Sequence, residues 1–198
     1  LRPDAGRIWL DDDEVTALGE RALMRVRAKI GMVFQNYALF DYLTVGENIG
    51  FPLTRLGDAS AADIAAKVAL RLAQVHLPGI EARFPGELSG GMKKRVCVAR
   101  ATVHDPPFLL CDDPTAGLDP VTTNRIFGLL KALQAEHGAT LLIVSHEVAA
   151  LAPLCDRFVM LRAGQVVFDG PPDQAHTAED PEVRAFVGQA PVFAEAGA

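Results

Sequence analysis

The sequence predicts an α/β fold built on a mostly parallel sheet, and three observations carry that expectation. First, three short apolar runs each end in polar side chains. Ile30-Gly31-Met32-Val33-Phe34 stops at Gln35, Phe108-Leu109-Leu110-Cys111 at Asp112 and Asp113, and Leu141-Leu142-Ile143-Val144 at Ser145 and His146. Continuous apolar runs of this length fit strands buried on both faces, as in parallel sheets. Second, the link between the last two runs reads as a helix. Asp119 suits the N-cap and Pro120 the first helical position; Ile126, Leu129, Leu130 and Leu133 recur at helical spacing, and Gly138 can end the helix. Strand, helix and strand then make a right-handed crossover. Third, ligands of open α/β sheets bind beyond the carboxyl ends of the strands. Three strands delivering Gln35, the Asp112-Asp113 pair and His146 to one edge would build a single site.

The remaining elements follow in chain order. Pro3-Asp4-Ala5-Gly6 reads as a turn leading into a strand at Arg7-Ile8-Trp9-Leu10. A turn needs an element before it, so the chain reads as beginning within a domain. Asn36 to Leu56 has the character of a long loop with short helical pieces. Ser60-Ala61-Ala62-Asp63 forms a capping box with Asp in the place of Glu, and Ile64, Val68, Leu72 and Val75 follow on one helical face. Pro78-Gly79 and Pro85-Gly86 interrupt what comes next, so about 50 residues form a helical insertion. Beyond His146 a helix runs through Leu151. Two strands, Arg157 to Leu161 and Gln165 to Phe168, then flank Ala163-Gly164 as a hairpin. Pro171-Pro172 closes the fold proper, Pro181 to Val187 forms a short helix, and the last residues read as loose. The expected organisation is a core of residues 1–35 and 105–170, an insertion over 36–104 and a tail over 171–198.

Bulk composition bounds the function. The 198 residues suffice for one domain, and 49% apolar with 22% charged is ordinary globular material. A net charge of −6 with no basic stripe argues against nucleic-acid binding. No run reaches the roughly 18 apolar residues of a membrane helix. Cys97, Cys111 and Cys155 lie in apolar segments without metal-type spacing and read as buried free thiols of a reducing compartment. His76, His104, His137 and His176 read as solvated.

Two motifs carry chemistry. Ser89-Gly90-Gly91 opens a helix, where unpaired N–H groups and the positive end of the dipole favour phosphate, and glycine lets the backbone approach closely. Asp112-Asp113 places two carboxylates at a strand end, costly unless a cation or a proton accompanies them. In order and spacing, Leu88-Ser89-Gly90-Gly91-Met92 and Asp112-Asp113-Pro114-Thr115-Ala116-Gly117-Leu118-Asp119 resemble the signature loop, Walker B strand and D-loop of ABC-type ATPases. The resemblance covers Pro3 to about Val187. It implies a P-loop NTPase-like sheet with a helical ABC subdomain, ATP as ligand and Mg²⁺ as cofactor.

The resemblance also implies roles. Asp112 would hold Mg²⁺, and Asp113 would be the general base for the attacking water. Gln35 would be the Q-loop glutamine that touches Mg²⁺ and senses the γ-phosphate. His146 would be the switch histidine, Asp119 the D-loop aspartate that reaches across a dimer, and Ser89, Gly90 and Gly91 the nucleotide-contacting signature. Two positions depart from the family pattern: Met92 stands where Gln is usual and Asp113 where Glu is usual. Asp is one methylene shorter, and a 1 Å misplacement can cost roughly a hundredfold. None of the five lysines follows a glycine, so no Gly-x-x-x-x-Gly-Lys-Ser/Thr phosphate loop lies within these residues. In the family that loop lies just upstream of the segment matching Leu1 to Leu10, and the chain reads as truncated there.

Phe34 to Asp41, Leu43 to Asn48, Phe51-Pro52-Leu53 and Glu87 to Met92 resemble the Mla/Mkl branch. That branch implies phospholipid or hydrophobic-solute transport, with a transmembrane permease, a second ATPase subunit and an MCE-type lipid-binding protein as partners. The implied location is cytoplasmic, peripheral on the inner face of the cell membrane. The other reading is a non-catalytic subunit that lends only its signature helix to an intact partner.

Overall fold

The computed structural model describes residues 3–57 and 59–188. In chain order the elements begin with β1 (Trp9–Leu10), β2 (Asp13–Glu14), α1 (Glu20–Arg27), β3 (Ile30–Val33), α2 (Val45–Leu56) and α3 (Ala61–Gln74). There follow α4 (Gly90–Thr102), β4 (Phe108–Asp112), α5 (Pro120–His137), β5 (Thr140–Val144) and α6 (Val148–Leu151). The chain continues through β6 (Phe158–Arg162), β7 (Gln165–Gly170) and α7 (Pro181–Val187). Among the described residues, no helix is long and apolar enough to cross a membrane.

The three apolar runs form one parallel sheet in the order β3-β4-β5. Their register sets Val33 beside Cys111 and Cys111 beside Ile143. The crossover helix α5 starts as the sequence requires: the Asp119 carboxylate accepts from the amides of Val121 and Thr122, and Gly138 ends the helix at φ 65°. β1–β2 and β6–β7 are antiparallel pairs, the latter turning at Ala163 and Gly164 with φ 48° and 78°.

The sheet is covered on one face rather than two. Val33, Leu109 and Cys111 are buried in the main core with Val98 and Ala99 of α4 and Ile126 and Leu130 of α5. Gly31 marks the tightest approach, since a Cβ there would stand 2.1 Å from the Ala101 carbonyl. On the opposite face Leu142 and Val144 are 59% and 62% exposed. The expectation of strands buried on both sides therefore holds for one, because the described helices that pack on this sheet lie on that side.

The segment read as a loop with short helical pieces contains the 12-residue α2. Thr44 and Glu47 close a capping box at its start, and the buried Asn48 staples the chain before it. The Asn48 side-chain oxygen accepts from the Phe40 amide at 2.8 Å, and its nitrogen lies 3.0–3.1 Å from the carbonyls of Phe40, Leu43 and Thr44. Gly46 and Gly50 are not breakers here. A Cβ on either would meet Glu81 or Ile64 at 3.2 or 2.8 Å, so both are packing positions. The Ser60–Asp63 capping box forms as expected, and Val68, Leu72 and Val75 are buried.

Two further expectations change. Residues 171–188 are not merely a tail, because Ala175, Val183 and Val187 bury against Val148 in a second small core. The last residues, expected to be loose, fall in 189–198, outside the described residues. Nor are all four histidines solvated. His137 stands between Arg71 Nη1 at 2.9 Å and Asp105 Oδ1 at 3.4 Å, in a cluster where the buried Arg71 also pairs with Asp105. His104 keeps a buried, unpartnered Nδ1, and desolvation lowers its pKa. Of the thiols, Cys97 and Cys111 are buried and Cys155 is half-buried.

Candidate functional site

The parallel register brings the expected residues to one rim. Gln35, Asp113 and Ser145 each lie two positions past the paired Val33, Cys111 and Ile143. Asp113 Oδ2 lies 3.0 Å from His146 Nδ1, and Asp113 Oδ1 accepts from Ser145 Oγ at 3.5 Å. His146 Nε2 faces Glu147 at 3.6 Å, and the imidazole is 66% exposed. Asp113 holds φ 41°, a left-handed conformation that Asp tolerates better than most residues, and its amide donates to the Val144 carbonyl at 2.8 Å. Asp112 ends β4 on the open side of the sheet, exposed and without an ion pair among the described residues. The Gln35 side chain is also exposed.

Ser89 caps α4 by accepting from the Met92 amide at 3.3 Å. A Cβ on Gly90 would meet the Tyr37 hydroxyl, and one on Gly91 the Thr122 methyl, each at 3.2 Å. The signature loop thus abuts the segment after β3 and the start of α5. Asp119 sits at that start. Its carboxylate accepts from the Thr122 hydroxyl at 2.6 Å, and hydrogen bonds from Thr122 lower its pKa. The structure therefore joins Gln35, Asp112, Asp113 and His146 at the strand ends. Ser89, Gly90, Gly91 and Asp119 form a neighbouring edge around Tyr37 and Thr122.

The ABC transporter family model matches residues 1–116, more than half of the chain. This chain belongs to the ABC transporter family.

This ABC family member is similar to the methionine import ATP-binding protein MetN of Caulobacter vibrioides. The two are 40% identical over 190 residues, which cover 95% of this chain and 57% of that protein. Against MetN of Carboxydothermus hydrogenoformans, identity is 41% over 170 residues, covering 86% and 50%. The chain spans a little over half the length of the MetN proteins first matched. Among solved structures it is similar to the dimeric post-hydrolysis state of the ATP-binding cassette MJ0796 bound to ADP and Pi. The TM-score is 0.78 at 32% identity, over 86% of this chain and 75% of that one. It is likewise similar to cbiO1 from Clostridium perfringens, part of the ABC transporter complex cbiONQ. There the TM-score is 0.79 at 30% identity, over 96% and 74%. The fold is the α/β, P-loop NTPase-like ABC cassette.

The donor chemistry fits the groups this family implies. The Asp112 carboxylate and the Gln35 carboxamide are hard oxygen donors of the kind Mg²⁺ takes, and could hold it. The start of the 13-residue α4, with glycines at both opening positions, offers backbone N–H groups to a phosphate.

Sequence reasoning passed over Lys94, Arg100 and Tyr37. Lys94 is 0% exposed, and its ammonium donates to the Gln35 carbonyl at 2.6 Å and approaches the Asp113 carbonyl at 3.4 Å. It also stands 5.1 Å from the Tyr37 ring centroid, and burial lowers its pKa. One turn on, Cys97 Sγ donates to the Tyr37 carbonyl at 3.0 Å. Arg100 donates to the carbonyls of Tyr37 and Ala38 at 2.9 and 2.6 Å. The available signal was the helix itself. From Val96 to Ala101 every residue is apolar except Arg100, so a charge on this helix has little solvent face to occupy.

Proposed function

We propose that this chain contributes the magnesium-side, base-side and signature groups of the ATP-binding and ATP-hydrolysing subunit of an ABC importer; the Gly-x-x-x-x-Gly-Lys-Ser/Thr loop such a subunit uses is not among these residues. The observation that supports it is the Asp113–His146 pair at 3.0 Å, beside the unpaired Asp112, at the carboxyl ends of adjacent parallel strands. Asp113 would take the proton of the attacking water, and His146, oriented by that carboxylate, would hold the water and the terminal phosphate. Asp112 and Gln35 would hold Mg²⁺, which neutralises charge on the phosphate oxygens. Ser89, Gly90 and Gly91 would cover the nucleotide of a second ATPase subunit in a head-to-tail pair, with Asp119 at that junction. The segment after Gln35 would meet a transmembrane permease, placing the chain peripherally on the cytoplasmic face of the membrane.

The solute reading that the relatives favour is methionine or a similar amino acid, since those named above are methionine import proteins. The phospholipid reading, with its MCE-type partner, rests on the resemblance of Phe34 to Asp41, Leu43 to Asn48, Phe51-Pro52-Leu53 and Glu87 to Met92 alone. Uptake of radiolabelled methionine against labelled phospholipid by vesicles holding the assembled transporter separates the two.

In that transporter, Asp113→Asn is expected to lower ATP hydrolysis at least a hundredfold and to leave ATP binding intact. Unchanged turnover would refute the assignment. A second reading, a non-catalytic subunit lending its signature helix, is supported by Asp113 in place of the family's Glu. It predicts that Asp113→Asn does nothing, whereas Ser89→Arg silences an intact partner chain.

A further inference from the structure

We infer that Lys94 is a positioning residue of this site, tying the backbone of Gln35 to that of Asp113 and so fixing the spacing of the metal-side and base-side groups. The inference rests on the ATPase reading above. Three elements meet at one ammonium: α4, which carries Lys94; the carbonyl just past β3; and the carbonyl just past β4. No covalent neighbour relates Gln35 to Asp113, and their strands are paired only up to Val33 and Cys111. Beyond that register the two ends need a separate tie, and Lys94 supplies it.

The backbone around the tie is strained. Tyr37 and Ala38 hold φ 62° and 50°, and Asp113 φ 41°. Non-glycine residues in such conformations persist only where surrounding contacts over-determine them. Donors along α4 supply them here: Cys97 and Arg100 hold the carbonyls of Tyr37 and Ala38, and Lys94 holds that of Gln35, two residues before Tyr37. Lys94 differs from the other two in reaching Asp113 as well. A fully buried lysine with no carboxylate partner among the described residues is an expensive way to fill space, because an apolar side chain of similar length is often as stable or more so. Its retention in the core is explained by what it holds.

That contrast defines the test. In Lys94→Met the stem still packs, but both carbonyls lose their donor; Lys94→Arg keeps charge and reach. In the nucleotide-free protein, amide hydrogen exchange at Tyr37, Ala38 and Ala116 is expected to quicken about tenfold or more in the Met variant, with exchange in β3 and β4 unchanged. In the assembled transporter, kcat for ATP is expected to fall about tenfold or more, with KM within about threefold. The loss in kcat is expected to exceed what any shift in melting temperature accounts for, and Arg is expected to restore most of it. Should the Met variant not fold, Lys94→Gln carries the same measurements. Wild-type exchange and kcat in the Met or Gln variant would overturn the inference. So would a kcat loss that merely tracks a lowered melting temperature. A wild-type transporter without ATP hydrolysis would instead refute the ATPase reading, and the exchange measurement would still decide the role of Lys94.

Discussion

A thiol inside a packed core behaves as a small apolar group, and two cysteines show what that implies. Burial raises the pKa of Cys97 to about 11 and that of Cys111 to about 12, against 9.0 for a free thiol. Both should therefore resist iodoacetamide at pH 8 while the protein is folded, and the half-buried Cys155 should react first. Mass spectrometry of the alkylated sites checks this; rapid labelling of Cys111 in folded protein would contradict the packing of β4. The same shifts set a pH dependence. Because the folded state holds these protons more tightly, their contribution is fully present below about pH 9 and is lost as pH rises toward 11–12. Urea midpoints should fall over that window, and replacing both thiols with Ala or Val should flatten the fall. Asp113 is the other instructive residue at this scale. Its departure from Glu was visible in sequence; its left-handed backbone and its contact with His146 were not, because both arise where two strands end side by side.

Among the elements, α2 depends on one polar side chain. Asn48 is buried and its side chain meets four backbone groups of residues 40–44; the carbonyls of Phe40 and Thr44 also accept from the amides of Leu43 and Asn48, whereas the Phe40 amide and the Leu43 carbonyl rely on the Asn48 side chain among the described residues. Asn48→Ala should cost about 2 kcal/mol by leaving the Phe40 amide and the Leu43 carbonyl unpaired, read from denaturant midpoints. It should also speed proteolysis between Asn36 and Thr44. A neutral outcome would mean that water replaces the amide. This helix was also the least legible element. Gly46, Gly50 and Pro52 have the composition of a loop, and the two glycines fit the helix as packing positions against Glu81 and α3, which no local pattern reveals. By contrast α5 was legible from end to end. Its cap, its first-turn proline, its apolar spacing and its terminal glycine all act within the helix itself. Lys94 escaped notice for a related reason: a run of Lys93, Lys94 and Arg95 looks like a solvated face until the Gln35 and Asp113 backbones close over its second member.

For the molecule as a whole, the unequal faces of the sheet matter most. Leu142 and Val144 stand exposed beside half-buried Met32 and Leu110, forming an apolar strip next to the acidic rim. Contiguous apolar surface of this kind binds dyes and promotes association. These 198 residues on their own should therefore enhance ANS fluorescence and self-associate at micromolar concentration. The double variant Leu142→Thr, Val144→Thr should reduce both, checked by light scattering on a sizing column. Identical behaviour of parent and variant would show that the strip is not the sticky surface. The gathering of the site was legible from sequence because parallel strands export their ends to one side. How the sheet is covered was not, since that depends on which helices reach which face.

Gly31 turns this architecture into a lever. Ala101 lies near the far end of α4 from Ser89, and at about 1.5 Å per residue the two are separated by roughly 18 Å along the axis. A single methyl wedged between β3 and that end would tip the helix about its packed middle and swing the glycine pair at its opposite tip. The distance of that glycine pair from the strand ends is thus hostage to a hydrogen atom at a position that touches neither.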